Sequence, residues 1–327
     1  MRWVNEERGA AAVLTAVSMT AIIAMAAFAV DAGALYSERR ELQNGADAAA
    51  LAIAEDCADE SLPCFDATAL ATGDAYADAN ASDSAALIHD IALDPTARTV
   101  TVTVRSEDEA GETVLAPYFA QIIGFNGTEV QAAATAEWGY PLSLKTFPLI
   151  ISDCEWNDPS NPLQEGPPFG GSPAVFYIHD GGSEATCPHG PSGWDLPGGF
   201  GWLSADDGPC QAFVKKGLWV PTDPGASPSN GCTAKLIKDA IFQKVVMLPY
   251  YEDLTGTGNS IEYKVAGLGA FYVTGYYFGG QFKEPSGGPY PCSGDERCIS
   301  GYHTYETIYD GELGGEDRGV TLVKLTN

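Results

Sequence analysis

Eight cysteines, Cys57, Cys64, Cys154, Cys187, Cys210, Cys232, Cys292 and Cys298, are the residues of this chain with the most readable chemistry. They are even in number and all lie beyond the amino-terminal fifty residues, a distribution that fits disulfides formed in an oxidising compartment. Cys57 and Cys64 bracket a turn with Pro63, and Cys292 and Cys298 bracket the turn SGDER, so both pairs suit local bridges. The remaining four allow three connectivities, among which proximity favours Cys154 with Cys187 and Cys210 with Cys232. A zinc reading of Cys187 with His189 lacks a second ligand pair at metal spacing.

The four histidines are His89, His179, His189 and His303, and none sits in a His-Glu-x-x-His pattern; no Gly-x-Ser-x-Gly elbow or P-loop occurs either. Asp206 and Asp207 are neighbours, which on a strand aims them in opposite directions, so they read as turn residues. From Glu41 to Asp94 there are twelve acidic residues and no Lys or Arg, but no Asp-x-Asp-x-Asp-Gly calcium loop, and a solvated face is the expectation. The chain is therefore read as no enzyme, with no catalytic residue, no metal and no cofactor site. Phe200, Trp202 and Trp219 form a candidate ligand surface for a glycan or protein, with core packing as the commoner use of such rings.

The elements that must hold these residues begin with an apolar run. Gly9 to Val30 is 22 residues without a charge. At ~1.5 Å per residue it covers the ~30 Å hydrocarbon core of a bilayer. The competing readings are a cleaved secretory signal, whose apolar stretch is shorter at roughly 7 to 15 residues, and a buried core helix. Helical patterning that continues through Leu35, Leu42, Ala46, Ala49 and Ile53 favours an uncleaved anchor running into a stalk, on the order of 70 Å in all. Ala12, Ala16, Thr20 and Ala24 recur at intervals of four and make a candidate packing stripe within the membrane. The cysteines place everything beyond Val30 outside the cytoplasm, whereas Arg2 and Arg8 against Arg39 and Arg40 orient the span only weakly.

With 17 basic and 44 acidic residues the net charge is −27, which argues against nucleic acid or anionic lipid as electrostatic partners. A length of 327 residues predicts two domains plus the anchor. The expected division is a cytoplasmic tail at 1–8, a transmembrane helix at 9–30, a helical stalk with a small α+β unit at 31–140, and a Gly/Pro-rich, mainly β domain at 141–327. Within the α+β unit the pattern predicts a helix over 66–80, strands over 86–93 and 98–105, a short helix over 115–123 closed by Gly124, and a strand over 130–138. Within the β domain it predicts strands at 149–152 and 175–179, an amphipathic helix over 233–244, and a strand running from 245 into a turn. It further predicts two strands over 261–282 about a Gly267–Gly269 bend, and a last strand over 320–325. The fold class is thus α+β: a long amino-terminal transmembrane and stalk helix, a small α+β unit, and a mostly antiparallel, disulfide-stapled extracytoplasmic domain.

Five segments now carry a resemblance: the RGAAAV start, VDAGALYSERRELQNGADAAALA, the TVTVTV strand, YFAQIIGF and VQAAATAEW. In order and type, over residues 8 to 140, the chain resembles the TadE/TadG-like proteins of tight-adherence (Tad, or Flp) pilus assembly, in an actinobacterial form. The phrases LIISDCEW, GGFGWL, VMLPYYEDLTGTGN and VAGLGAFYVTGYYF resemble the extracytoplasmic part of such proteins. The resemblance implies a single-pass envelope protein, amino terminus cytoplasmic and remainder outside, acting as minor pilin-like subunit, scaffold or anchor. Its implied partners are other Tad/Flp membrane proteins and pilins, with the bilayer held through the first helix and no nucleic acid. Two departures stand out. Prepilin processing after Gly9 would leave Leu14, not glutamate, at the fifth position, and the Asp-x-Ser-x-Ser metal site of larger relatives is broken where Asp158 and Ser160 are followed by Pro162. A membrane-anchored binding module or adhesin is the alternative.

Overall fold

The computed structural model describes residues 4–58, 64, 66–81, 86–107, 113–158, 160, 162–179, 201–205, 208–225, 227–256 and 260–326. It divides into two compact units, Met1–Glu137 with Lys324–Asn327, and Trp138–Val323.

The first unit is built on α1 (Val4–Ala58), a helix of 55 residues and therefore about 80 Å long. No proline interrupts it, and alanine, the best helix former, fills much of it. Its two halves have different environments. Through residues 9–30 nearly every side chain is exposed, including Leu14, Val17, Ile23 and Phe28, whereas Leu42, Ala46, Ala49, Ala50 and Ile53 are buried. The second half packs against α2 (Asp66–Asn80) and against a sheet. Gly45 allows the helices to meet closely, since a Cβ there would lie 3.2 Å from the Ala77 carbonyl oxygen.

That sheet begins with β1 (Ala86–Asp94) and β2 (Thr99–Ser106), joined by a turn in which Arg98 takes φ 55°. A small hairpin of β3 (Val114–Leu115) and β4 (Thr128–Glu129) follows, and then β5 (Gln131–Gly139). β2 alternates perfectly: Val100, Val102 and Val104 are completely buried and face α1. Their antiparallel partners are Ala136, Ala134 and Ala132, small residues on the same face, while Thr101 and Thr135 share a 2.8 Å hydroxyl hydrogen bond on the other. Residues 324–326 return to this unit, where Thr326 Oγ1 donates to the Thr135 carbonyl and Lys324 pairs with Glu137. The helix expected over 115–123 is absent. Pro117 steers the preceding Ala116 away from helical dihedrals, Val114 and Leu115 pair as β3 with β4, and the segment closes in a single 3-10 turn, Ala120–Ile123.

The second unit contains, in order, β6 (Pro141–Thr146), β7 (Ile151–Ser152), α3 (Asp153–Trp156), β8 (Ala174–His179), β9 (Ala212–Lys215), β10 (Trp219–Pro221), α4 (Ala234–Ile241) and β11 (Val245–Thr255). It continues with β12 (Glu262–Tyr277), β13 (Lys283–Glu284), β14 (Arg297–His303), β15 (Glu306–Ile308), β16 (Glu312–Leu313) and β17 (Val320–Thr326), whose residues from Lys324 onward belong to the first unit. The principal sheet runs β7-β11-β12-β14-β8 with β10 and β13 also on β12, antiparallel except where β7 meets β11; a smaller sheet runs β16-β6-β9. Thr233 caps α4 by accepting from the Leu236 amide, and Ile237 and Ile241 carry its apolar face into the core.

One expected bend between two strands lies inside a single strand, with a register shift against β11 beside Gly267. β12 runs unbroken through Gly267 and Gly269, because those glycines serve packing and not turning. A Cβ on Gly269 would fall 1.8 Å from Trp156 Cζ2, and one on Gly267 would fall 2.3 Å from the Tyr250 hydroxyl. The aromatic side chains approach the bare backbone so closely that only glycine fits there. Trp156 is in turn stacked between Tyr250, at 5.7 Å and 7°, and His303, at 4.2 Å and 15°.

Disulfides join Cys57 to Cys64, Cys210 to Cys232 and Cys292 to Cys298. Cys154 is also disulfide-bonded. Its expected partner Cys187 lies outside the described residues, as do His189, Asp206 and Asp207.

Candidate functional site

The feature that stands apart from core packing lies where the uncharged run of α1 ends. Asp31 follows Val30 directly and is the single charged residue between Arg8 and Glu38. It is only 7% exposed. Its Oδ1 accepts hydrogen bonds from the amides of Tyr118 (2.8 Å) and Phe119 (3.1 Å), and its Oδ2 from Phe119 (3.1 Å) and Ala120 (2.8 Å). Three consecutive amides around one carboxylate make a concave anion seat, and charge-assisted bonds of this kind are stronger than neutral ones. The 3-10 turn has no cap of its own, because Phe119 occupies its N-cap position without a side-chain hydrogen bond. Asp31 supplies that cap from another element.

The far end of the turn is closed just as fully. Phe125 N–H donates to the Ala120 carbonyl and Gly124 N–H to that of Gln121, the paired bonds of a Schellman motif, with Gly124 at φ 88° where a side chain would be strained. Between the two closures the loop turns its apolar side chains outward. Tyr118 is 74% exposed, Ile122 84% and Ile123 85%, with Phe119 and Phe125 also exposed. No charged residue occurs from Val114 to Thr128. A cleft between this loop and α1 is lined by Asp31, Ala34, Leu35, Pro117, Tyr118 and Phe125.

The residues singled out by sequence fall elsewhere. Ala12, Ala16, Thr20 and Ala24 are all exposed along α1, and Thr20 satisfies its hydroxyl on the Ala16 carbonyl. Trp202 is corrected from ligand surface to core: it is 1% exposed, wedged edge-on against Phe147 at 5.8 Å and Phe278 at 5.0 Å. A ring so enclosed cannot stack on a ligand. Trp219 is 38% exposed, and Phe200 lies outside the described residues. Asp158 accepts from the Ser160 amide and hydroxyl, a local turn, and among the described residues no three His, Cys, Asp or Glu side chains gather as a metal site would require. Sequence reasoning passed over Asp31. Its signal was isolation, a lone carboxylate at the end of an uncharged run.

The helix that carries Asp31 also holds a match to a known family. Residues 9–55 match the family described as putative Flp pilus-assembly TadE/G-like. Over that segment the chain is similar to the TadE/G-like family. The match takes in the exposed apolar run, Asp31 and the buried continuation as far as Glu55, so the TadE/G-like segment is the part of α1 that passes from an apolar surface into a packed unit. No curated protein and no solved structure matches the chain.

Proposed function

We propose that this protein is a membrane-anchored structural component of Tad/Flp pilus assembly, acting as a minor pilin-like subunit or as a scaffold and anchor. One observation carries the reading. The TadE/G-like segment is a single helix whose first part is apolar, uncharged and exposed over a span's length, and whose second part is locked into a folded unit. Exposed leucine, isoleucine and phenylalanine at that density need an apolar solvent, and a bilayer supplies one. A helix continuous through both parts couples the membrane mechanically to the folded unit. The amino terminus is cytoplasmic in this reading and both folded units are extracytoplasmic, supported by disulfides in each unit. The role is structural and not catalytic, and the partners are pilins and other membrane proteins of the system, met through the stripe of Ala12, Ala16, Thr20 and Ala24.

The test is recovery of the tagged protein from sheared filaments and from membranes, with mass spectrometry of its amino terminus in each. An intact amino terminus in membranes, copurifying with pilus-system proteins, supports an assembly anchor. Recovery in sheared filaments makes it a minor subunit, and absence of pilus-system proteins from both fractions overturns the proposal. The alternative of a ligand-binding module loses its central ring with the burial of Trp202.

A further inference from the structure

We infer that the loop Tyr118–Phe125 is a second membrane contact, a short apolar wedge seated in the headgroup and acyl boundary of the leaflet from which α1 emerges. The inference rests on the reading of residues 9–30 as a membrane span.

Position comes first. Asp31 lies one residue beyond the uncharged run and grips the amides of residues 118–120, so the loop is fixed at the depth where the span meets water. Ile122 and Ile123 come two and three residues after the last of those amides, and they are more exposed than Phe28, the most exposed large residue of the run itself. The one charge at the junction, Asp31, is taken up by the loop's own amides, and exposed apolar side chains lie on both sides of it.

Composition agrees with that depth. Tyrosine and phenylalanine are residues of the membrane interface, and two isoleucines beside them supply area for burial among acyl chains. The loop has no lysine or arginine, so attraction to anionic headgroups plays no part, and apolar burial alone drives the contact.

Backbone chemistry removes the usual objection. Irregular backbone is excluded from lipid because its amides and carbonyls go unpaired. Here Asp31 takes three amides and the Schellman bonds take two more, leaving a loop that is dry at both ends. The competing occupant, an apolar surface of another protein chain, would not require the loop to be tied to the end of the span, where Asp31 holds it.

The experiment places an environment-sensitive fluorescent amino acid at one of three sites of the full-length chain: Val17 within the run, Ile123 at the wedge, and exposed Arg39 on α1, about 12 Å beyond Asp31 by helical rise. Single chains are reconstituted in zwitterionic nanodiscs containing lipids with a quencher at a shallow or a deep acyl position. The expected result is strong quenching of Val17 by the deep probe, at least twofold stronger shallow quenching at Ile123 than at Arg39, and loss of the Ile123 signal alone in an Asp31→Asn background. Quenching at Val17 with Ile123 indistinguishable from Arg39 overturns the wedge and leaves the span. Absence of quenching at Val17 overturns the span and the wedge with it. An Ile123 probe that stays unquenched in single-chain discs and becomes shielded only when several chains share a disc overturns lipid in favour of a chain-to-chain contact.

Discussion

The Ala120 amide donates a 2.8 Å hydrogen bond to Asp31 Oδ2 across 89 residues of sequence, and with it the carboxylate of one helix becomes the cap of a distant turn. Without Asp31 the turn would begin with three unpaired amides. Without the turn, a nearly buried carboxylate would stand beside an apolar run with no donors, an arrangement that is expensive in any solvent.

Asp31→Ala is therefore expected to release residues 118–120 and to cost about 1–3 kcal/mol locally. Hydrogen exchange at those three amides reads it directly, with protection falling there while the amides of β2 and β5 keep theirs. Unchanged protection at 118–120 would mean that the loop is held by something other than the carboxylate.

Gly269→Ala is expected to be among the most damaging single-methyl changes in the second unit. The new carbon falls 1.8 Å from Trp156 Cζ2, so either β12 or the indole must move, at a cost of roughly 3 kcal/mol. Thermal unfolding followed by tryptophan emission reports both the lost stability and the displaced ring, and a melting temperature equal to that of the parent would refute the packing argument.

His303 makes the second unit acid-sensitive. Burial among Trp156, Phe176 and Phe271 pushes its pKa down to about 4 from 6.5, opposed in part by the nearby Asp158 charge. Between those values the unfolded chain takes up a proton that the folded imidazole refuses, so stability is lost as pH falls through that window, by up to roughly 3 kcal/mol. Urea unfolding across this range should show the slope in the parent and a shallower one in His303→Phe. Parallel curves would place the sensitivity in the carboxylates.

The Cys210–Cys232 bridge closes a loop of sequence separation 22 and pins the segment before α4 to the segment before β9. Replacing both cysteines by serine is expected to lower the stability of that unit by roughly 3 kcal/mol, chiefly by freeing the unfolded chain. Denaturant midpoints of the variant and of the parent, each with and without reductant, check it: reductant should shift the parent further than the variant.

What could be read from sequence was whatever a local period dictates. RTVTVTVR announces a strand because alternate valines need one buried face, and TAKLIKDAI announces a helix by its cap and its apolar spacing. What could not be read depended on partners remote in the chain. Gly267 and Gly269 look like a bend until Tyr250 and Trp156 are known to lie on them. Trp202 looks like a recognition ring until Phe147 and Phe278 enclose it, and LAPYFAQII looks like a helix until Asp31 is found capping only its last turn.

The return of residues 324–326 to β5 gives the protein a clock. Thr326 reaches Thr135 over a separation of 191 residues, so the first unit waits for its final neighbour until nearly everything between them has been synthesised and, for an exported chain, translocated. During that interval the edge of β5 is open to any other strand that can reach it. Residues 324–326 thereby act as a late seal on that edge, and a chain lacking them would carry its fault in the first unit, far in sequence from the deleted residues.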